Sequence, residues 1–137
     1  PYYKKFPFLL EKMSKLLNQY ISVKGFNLDF EHSEFQFTEY NPGDHFEWHK
    51  DVYGEKIKNE DRYCSLVILL NDNYEDGNLE LKHQKNKTLT VEKGIGNLAL
   101  FLSDIEHRVQ PVKSGIRYTL VNWVGVTINN TYKKTLI

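Results

Sequence analysis

After Gly25 the chain consists of short apolar stretches separated by turn residues, and this pattern limits the folds that it can adopt. The turn sequences include Asn41-Pro42-Gly43, Asp76-Gly77 and Lys93-Gly94. Many short strands at this spacing are typical of a double-sheet jelly roll, which encloses a pocket between its sheets. We therefore predict a mainly β fold whose strands cover about residues 28–40, 45–49, 62–70, 78–82, 88–92, 97–102, 106–110 and 116–125.

A helical periodicity precedes the strands. Apolar residues recur every three or four positions from Phe6 to Ile21, which is the spacing of a helix with one apolar face. We predict a helix over about residues 6–24, starting near Pro7, with its apolar stripe on the outside of a sheet. The length of 137 residues suits one domain. The jelly-roll core of that domain is predicted over about residues 28–125.

Two histidines and one aspartate form the most informative residue pattern. His49 and Asp51 are separated by one residue, so an extended segment would point both side chains to the same face. His107 lies much further along the chain, where a short strand is predicted. Two imidazoles and one carboxylate are the facial triad that holds Fe(II) and leaves coordination positions open. The sequence therefore predicts a catalytic metal site at these three residues.

A candidate anion clamp follows the second histidine. Arg117 and Thr119 share one face of the last predicted strand with Val121 and Trp123. A guanidinium and a hydroxyl two residues apart can bind the far carboxylate of a dicarboxylate. The pattern therefore predicts a metal site with an adjacent carboxylate site.

Other residues leave alternatives open. His45 and Glu47 alternate with His49 along the same predicted strand, so they are alternative metal ligands. His32 and His83 have no partner at ligand spacing and are predicted on the surface. Two further interpretations concern the tryptophans and a polar segment. Trp48 and Trp123 are core or pocket wall, and the segment Tyr53 to Asp61 is either a solvated loop or a substrate lid.

In these residues the chain resembles the 2-oxoglutarate- and Fe(II)-dependent dioxygenases of the prolyl 4-hydroxylase type. The resemblance extends from about Phe35 to Trp123 and is a matter of motif context rather than of any single match. The motifs that carry it are Tyr40-Asn41-Pro42-Gly43, His49 with Asp51, Arg62-Tyr63-Cys64-Ser65, Leu69-Leu70-Asn71, Glu75-Asp76-Gly77-Asn78-Leu79-Glu80-Leu81, His107-Arg108-Val109-Gln110-Pro111-Val112 and Arg117-Tyr118-Thr119-Leu120.

The resemblance implies a double-stranded β-helix (jelly roll) and a role for each site residue. It implies that His49, Asp51 and His107 are the iron ligands and that Arg117 binds the C5 carboxylate of 2-oxoglutarate, helped by Tyr40 and Thr119. It also implies Fe(II), 2-oxoglutarate and O₂ as cofactor and co-substrates, with ascorbate in a supporting role. Relatives of this type differ from the chain at three places: they carry Gly-Gly where it has Asp76-Gly77, some carry tyrosine at Leu69, and many collagen-type relatives carry lysine at Arg117.

The activity implied by the resemblance is hydroxylation of a substrate C–H bond with release of succinate and CO₂. A prolyl residue of a peptide or protein is the first expected substrate, and a free amino acid or other small molecule is the alternative. A non-catalytic metal-binding jelly roll is the third possibility. Arg62, Trp123 and Tyr53 are the candidate substrate contacts.

Composition bounds the partners. The 18 basic and 18 acidic residues cancel, so there is no overall field to attract nucleic acid or an anionic membrane. The basic run of Lys82, His83, Lys85 and Lys87 is expected to be a solvated turn. Cys64 is the only cysteine, which agrees with a reducing compartment, and no apolar run reaches membrane length. We therefore expect a cytoplasmic protein without nucleic-acid or membrane partners; the oligomeric state is left open.

Overall fold

In the computed structural model, which describes residues 2–4, 7–21, 26–29, 35–52 and 63–128, the chain forms one helix and twelve strands. The helix α1 spans Pro7–Ile21, within the predicted range. No helix among these residues is long and apolar enough to cross a membrane. The strands are β1 (Tyr2–Lys4), β2 (Phe26–Asp29), β3 (Phe35–Tyr40), β4 (Phe46–His49), β5 (Cys64–Leu69), β6 (Glu75–Asp76), β7 (Leu79–His83), β8 (Lys87–Thr90), β9 (Leu98–Leu102), β10 (His107–Val109), β11 (Val112–Ser114) and β12 (Arg117–Ile128).

Two antiparallel sheets face each other. The larger sheet has the order β1-β3-β12-β5-β9, with β2 also paired to β12. The smaller sheet has the order β4-β10-β7-β8. In the smaller sheet β10 pairs with both β4 and β7, which are distant from it in sequence, whereas β7 and β8 form a hairpin. This connectivity confirms the predicted double-stranded β-helix (jelly roll).

The core between the sheets comes from alternate residues of their strands. Because side chains alternate across a strand, β5 and β9 of the larger sheet give one face to this inner cluster and the other to the outside. The inner cluster of buried residues consists of Val67, Leu69, Leu79, Leu81, Ala99, Phe101 and Val109. Apolar contacts therefore hold the two sheets together. They surround a pocket that also contains the polar residues described in the next section.

A second cluster lies on the outer face of the larger sheet, under α1. Leu17 of the helix packs there with Phe35, Leu66 and Val124, and Met13 contacts the same cluster. The predicted packing of the apolar stripe on the outside of a sheet is therefore confirmed for Met13 and Leu17, whereas Leu16, which belongs to the same predicted stripe, is exposed. The exposed positions Phe8 and Leu16 belong to the opposite side of α1.

The single strand predicted over residues 28–40 is wrong, because the structure has two strands, β2 and β3, in this part of the chain. The alternation over residues 28–40 predicts a single strand, whereas β2 and β3 pair with β12 in different registers. Gln36 faces Val121, so an uninterrupted ladder would place residue 32 opposite Gly125, but Gly125 faces Asp29. Three additional residues therefore fall between the two strands. Because three is an odd number, the apolar positions change from even numbers in β2 (Phe26, Leu28) to odd numbers in β3 (Phe35, Phe37), and the prediction of a single strand overlooked this change of phase.

Three short strands, β1, β6 and β11, were not predicted, because two or three residues are too few for a periodicity. β6 and β11 pair with each other. Asp76 and Gly77 follow one another at positive φ, 58° and 62°. Aspartate is among the few non-glycine residues that tolerate this region. The replacement of Gly-Gly by Asp76-Gly77 is therefore compatible with the same turn.

Candidate metal and co-substrate site

His49, Asp51 and His107 meet at the edge of the smaller sheet. His49 ends β4 and His107 begins β10, and the antiparallel register places them directly opposite each other. Asp51 follows β4 and turns its carboxylate between the rings. Its Oδ1 lies 3.4 Å from Nε2 of His49 and 3.6 Å from Nε2 of His107. One ligand atom from each residue lies within 4.8 Å of the others, so the three side chains can hold one metal ion.

Backbone carbonyls orient both imidazoles. Nδ1 of His49 lies 2.7 Å from the carbonyl oxygen of Glu47, and Nδ1 of His107 lies 2.9 Å from that of Ile105. A carbonyl can only accept, so Nδ1 carries the proton and the lone pair of each ring lies on Nε2, facing Asp51. Burial lowers the pKa of His107, which favours the neutral ring that a metal needs.

Arg117 is a buried cation whose guanidinium is incompletely paired. The residue is 1% exposed, and its Nε and Nη2 have no hydrogen-bond partner among the described residues. Burial lowers the pKa of Arg117, and the charges of Tyr74 and Tyr40 and a hydrogen bond to the Tyr74 side chain oppose that effect. Buried donors without partners are costly, so the group is suited to a bound anion. A carboxylate would accept from both free nitrogens, which fits the predicted co-substrate clamp.

Two tyrosines adjoin this guanidinium. The ring of Tyr40 lies 5.1 Å from Cζ of Arg117 on the opposite strand, in register with it. Tyr74 was not foreseen, since no periodicity or spacing links it to Arg117. Leu69, where some relatives carry tyrosine, is buried in the inner apolar cluster. The phenol groups near the proposed co-substrate site therefore come from β3 and from the segment before β6.

Thr119, the other predicted helper, lies one inward position beyond Arg117 on β12. Its hydroxyl hydrogen-bonds the hydroxyl of Thr38, which stands directly opposite on β3. Both threonines line the same pocket as the metal triad. Thr38 is a residue that sequence reasoning missed, although its alternation with Tyr40 on β3 is the signal that could have identified it.

One pocket contains the triad and the clamp together. Its walls include aromatic side chains of Phe46, Tyr40 and Trp123, and the Phe46 ring lies 3.9 Å from the His49 ring, centroid to centroid. Of the three candidate substrate contacts, Trp123 lines this pocket, whereas Arg62 and Tyr53 lie outside the described residues. The candidate lid at 53–61 also lies outside them. The remaining walls are Gln36, Thr38, His49, Asp51, Val67, Leu79, His107, Val109, Arg117, Thr119 and Val121.

The alternative ligands do not join the metal cluster. Nε2 of His45 lies 3.0 Å from a carboxylate oxygen of Glu47, and their side chains are 44% and 80% exposed. Trp48 is not a pocket wall. Its ring lies on the other face of the smaller sheet, 4.9 Å from Lys82 Nζ and 4.8 Å from Arg108 Cζ. Alternation along β4 explains this placement, because Trp48 and His49 point to opposite faces.

The basic run, which includes His83, lies in the hairpin formed by β7 and β8. Lys82, His83, Lys85 and Lys87 are all exposed, and Lys82 Nζ forms a 3.0 Å ion pair with Glu106. This agrees with the solvated turn expected from the sequence. His32 lies outside the described residues.

Comparison with known proteins identifies the family. Residues 35–125, more than half of the chain, match the 2OG-Fe(II) oxygenase superfamily. A PKHD-type hydroxylase of Crocosphaera subtropica is 28% identical over 105 residues, which are 74% of this chain and 47% of that protein. The chain thus spans about half the length of this relative. The chain belongs to the 2OG-Fe(II) oxygenase superfamily.

Solved structures agree with this assignment. A prolyl-4-hydroxylase of Pseudomonas putida superposes with a TM-score of 0.65 at 26% identity, covering 85% of this chain and 62% of that one. The viral collagen prolyl hydroxylase of Paramecium Bursaria Chlorella virus-1 gives a TM-score of 0.70 at 18% identity, over 90% of this chain and 77% of that one. The second likeness is one of fold alone. Both likenesses agree with membership of the 2OG-Fe(II) oxygenase superfamily, whose chemistry uses Fe(II), 2-oxoglutarate and O₂.

Proposed function

We propose that the chain carries the catalytic site of an Fe(II)- and 2-oxoglutarate-dependent oxygenase that hydroxylates a prolyl residue of a peptide or protein. The observation that carries the proposal is the incompletely paired, buried guanidinium of Arg117 in the same pocket as the His49, Asp51 and His107 cluster. A structural metal site needs no such anion clamp. An oxygenase needs both, because its co-substrate is a dicarboxylate.

Each residue has a separate task in this proposal. His49, Asp51 and His107 bind Fe(II) through Nε2, Oδ1 and Nε2, the atoms that converge in the pocket. When bound, Fe(II) with 2-oxoglutarate and O₂ supplies the oxidation that releases succinate and CO₂ and hydroxylates the substrate. Arg117 holds the far carboxylate of the co-substrate, assisted by Tyr40 and Thr119. This two-point attachment orients the reacting end towards the metal.

Apolar walls complete the pocket. Val67, Leu79, Val109 and Val121 line it beside the polar groups and limit the access of water. Trp123, half-buried, offers an aromatic surface that suits a pyrrolidine ring. The likeness to the prolyl-4-hydroxylase of Pseudomonas putida, at 26% identity, also supports the proposal of a prolyl substrate for this chain. These features support a peptidyl proline over a free amino acid, for which extra charged groups in the pocket would be needed.

The proposal is tested by measuring succinate release and hydroxyproline formation with Fe(II), 2-oxoglutarate and a panel of proline-containing peptides and free amino acids. We expect iron-dependent product with at least one peptide. His49→Ala, Asp51→Ala and His107→Ala should each abolish turnover while leaving the circular dichroism spectrum unchanged, because each removes one of three protein ligands. His45→Ala is the matched control, since His45 lies outside the cluster, and should retain activity.

Two results would contradict the proposal. Iron-dependent succinate release that persists in all three triad variants would exclude the metal site. Hydroxylation confined to free amino acids or other small molecules would instead retain the metal chemistry and replace the peptide substrate.

A further inference from the structure

The two carboxylate oxygens of Asp51 have different surroundings. Oδ1 faces the two histidines, at 3.4 and 3.6 Å from their Nε2 atoms. Oδ2 points away from them and accepts a hydrogen bond from the hydroxyl of Ser65 on β5. The carboxylate is therefore held between the two histidines on one side and Ser65 of the larger sheet on the other.

A second serine completes this support. Oγ of Ser103 lies 3.0 Å from Oγ of Ser65. Because the single proton of the Ser65 hydroxyl is donated to Asp51, the Ser103 hydroxyl must donate to Ser65. The two serines are 0% and 1% exposed, so water does not compete for these hydrogen bonds.

Ser103 also holds the backbone of the ligand loop. Its carbonyl oxygen accepts from the backbone N of Asp51 at 2.9 Å and from that of Val52 at 3.3 Å. Its own N–H donates to the carbonyl of Tyr63 at 2.9 Å, which ties it to the start of β5. The segment after β9 thus holds the main chain of Asp51 directly and supports its side chain through Ser65 of β5.

We propose that Ser65 and Ser103 form a positioning pair that keeps Asp51 a one-oxygen metal ligand. Carboxylates bind metal ions through one oxygen or through both. Ser65 engages Oδ2, so only Oδ1 is presented to the ion, and the positions needed by the co-substrate and O₂ stay open. Without this hydrogen bond the carboxylate can rotate and bring Oδ2 to the metal. This inference rests on the proposed metal site at His49, Asp51 and His107.

The test uses Co(II) in place of iron, so that no turnover is required. Two quantities are measured for wild type, Ser65→Ala, Ser65→Thr and Ser103→Ala: the visible absorption spectrum of the bound Co(II), which reports its donor set, and the dissociation constant of 2-oxoglutarate for the Co(II)-loaded protein. Ser114→Ala is the matched control, since this exposed hydroxyl donates to the exposed Glu75, away from the three candidate metal ligands.

In Ser65→Ala we expect an altered Co(II) spectrum and weaker 2-oxoglutarate binding, by about 10- to 100-fold, which is the size of the effect that loss of a metal ligand's partner has on metal affinity or activity. Ser103→Ala should shift both quantities in the same direction but less, because Ser65 can still donate. Ser65→Thr, which keeps the hydroxyl, and Ser114→Ala should match wild type. A serine with a merely structural role would lower the melting temperature and leave both quantities unchanged.

An unchanged spectrum or an unchanged 2-oxoglutarate dissociation constant in Ser65→Ala would overturn the positioning role. If Ser65→Ala does not fold, Ser103→Ala decides by the same two measurements. Failure of the wild-type protein to bind Co(II), or equal binding by His49→Ala, would instead overturn the metal site and with it the proposed function. The two failures are therefore distinguishable.

Discussion

At the scale of single residues, the guanidinium of Arg117 lowers the free energy of unfolding of the protein as long as no ligand is bound to it. The buried guanidinium of Arg117 has two nitrogens without hydrogen-bond partners among the described residues. The same low-dielectric surroundings that make it costly would strengthen its attraction for a carboxylate. Function and stability therefore oppose each other at this position.

Arg117→Met should raise the dissociation constant of 2-oxoglutarate steeply and leave metal affinity nearly unchanged. Loss of one partner of a buried charged pair costs roughly 2–5 kcal/mol of binding. Arg117→Lys should rescue binding only in part, because an ammonium is a single-point donor. The measurements are Co(II) and 2-oxoglutarate titrations followed by calorimetry. Unchanged co-substrate affinity in Arg117→Met would show that the clamp lies elsewhere.

Cys64 provides a prediction on pH dependence. It is 5% exposed on the outer face of β5, and burial raises the pKa of its thiol to about 11 from 9.0. Between these values the unfolded chain loses its thiol proton while the folded chain keeps it, so stability falls as pH rises through this window. A shift of this size corresponds to roughly 2–3 kcal/mol.

Denaturant unfolding at pH 8 to 11 checks this expectation. Wild type should lose more stability over that range than Cys64→Ala, which lacks the titrating group. The native thiol should also resist alkylation at pH 8 and react once the protein is unfolded. Equal pH slopes for the two proteins would contradict the assignment.

At the scale of elements, the connection between β6 and β7 packs against the side chain of Arg117. Gly77 has a φ of 62°, and a Cβ built on it would lie 2.8 Å from Cγ2 of Val112 and 3.5 Å from Cδ of Arg117. The absence of a side chain therefore lets β11 and the arginine stem pack against this turn. Tyr74, which precedes β6, packs on the same glycine, 3.5 Å from that Cβ position.

Gly77→Ala should destabilise the protein more than Gly96→Ala. Gly96 also has a positive φ, 82°, but a Cβ there meets nothing within 4 Å. Gly96→Ala therefore measures the backbone cost alone, about 1–2 kcal/mol. Gly77→Ala adds a steric cost of about 1–3 kcal/mol and should weaken 2-oxoglutarate binding through Arg117. Equal free energies of unfolding for the two variants would show that Val112 yields without cost.

At the scale of the whole molecule, the three candidate metal ligands are close together only in the folded chain. His49 and His107 are brought together by the pairing of β4 with β10, and Asp51 is held by residues of β5 and the segment after β9. The unfolded chain has no comparable cluster, so a metal ion that binds there binds the native state preferentially.

Divalent metal should therefore stabilise the protein. At a free concentration one hundred times the dissociation constant, the expected gain is about 2.7 kcal/mol. Thermal unfolding with Co(II), and again after removal of the ion by EDTA, measures this gain. The double variant His49→Ala/Asp51→Ala should show no shift. A shift of equal size in that variant would mean that the stabilising ion binds at another place.

Much of this architecture could be predicted from local pattern. The apolar periodicity of α1, the apolar run of β5, the alternation on β12 and the turn residues between strands are local properties. They led to the jelly roll and, apart from the strand predicted over residues 28–40, to strand bounds within three residues of the observed ones. The pattern failed where it carries no information. β6 and β11 are too short to show alternation. The change of phase within residues 28–40 was overlooked rather than hidden: the pairing of β2 and β3 with β12 differs by three residues, which only the structure measures.

The sequence by itself determined the chemistry available to the site, because His49, Asp51, His107 and Arg117 stand in a recognisable order whose spacing is compatible with strands. Only the tertiary structure decided which other groups serve them. Ser65 and Ser103 lie on different segments, and Tyr74 precedes β6, so no local period connects them to the residues that they contact. Hydrogen bonds between such distant residues follow from how the two sheets pack, and packing depends on the whole chain at once.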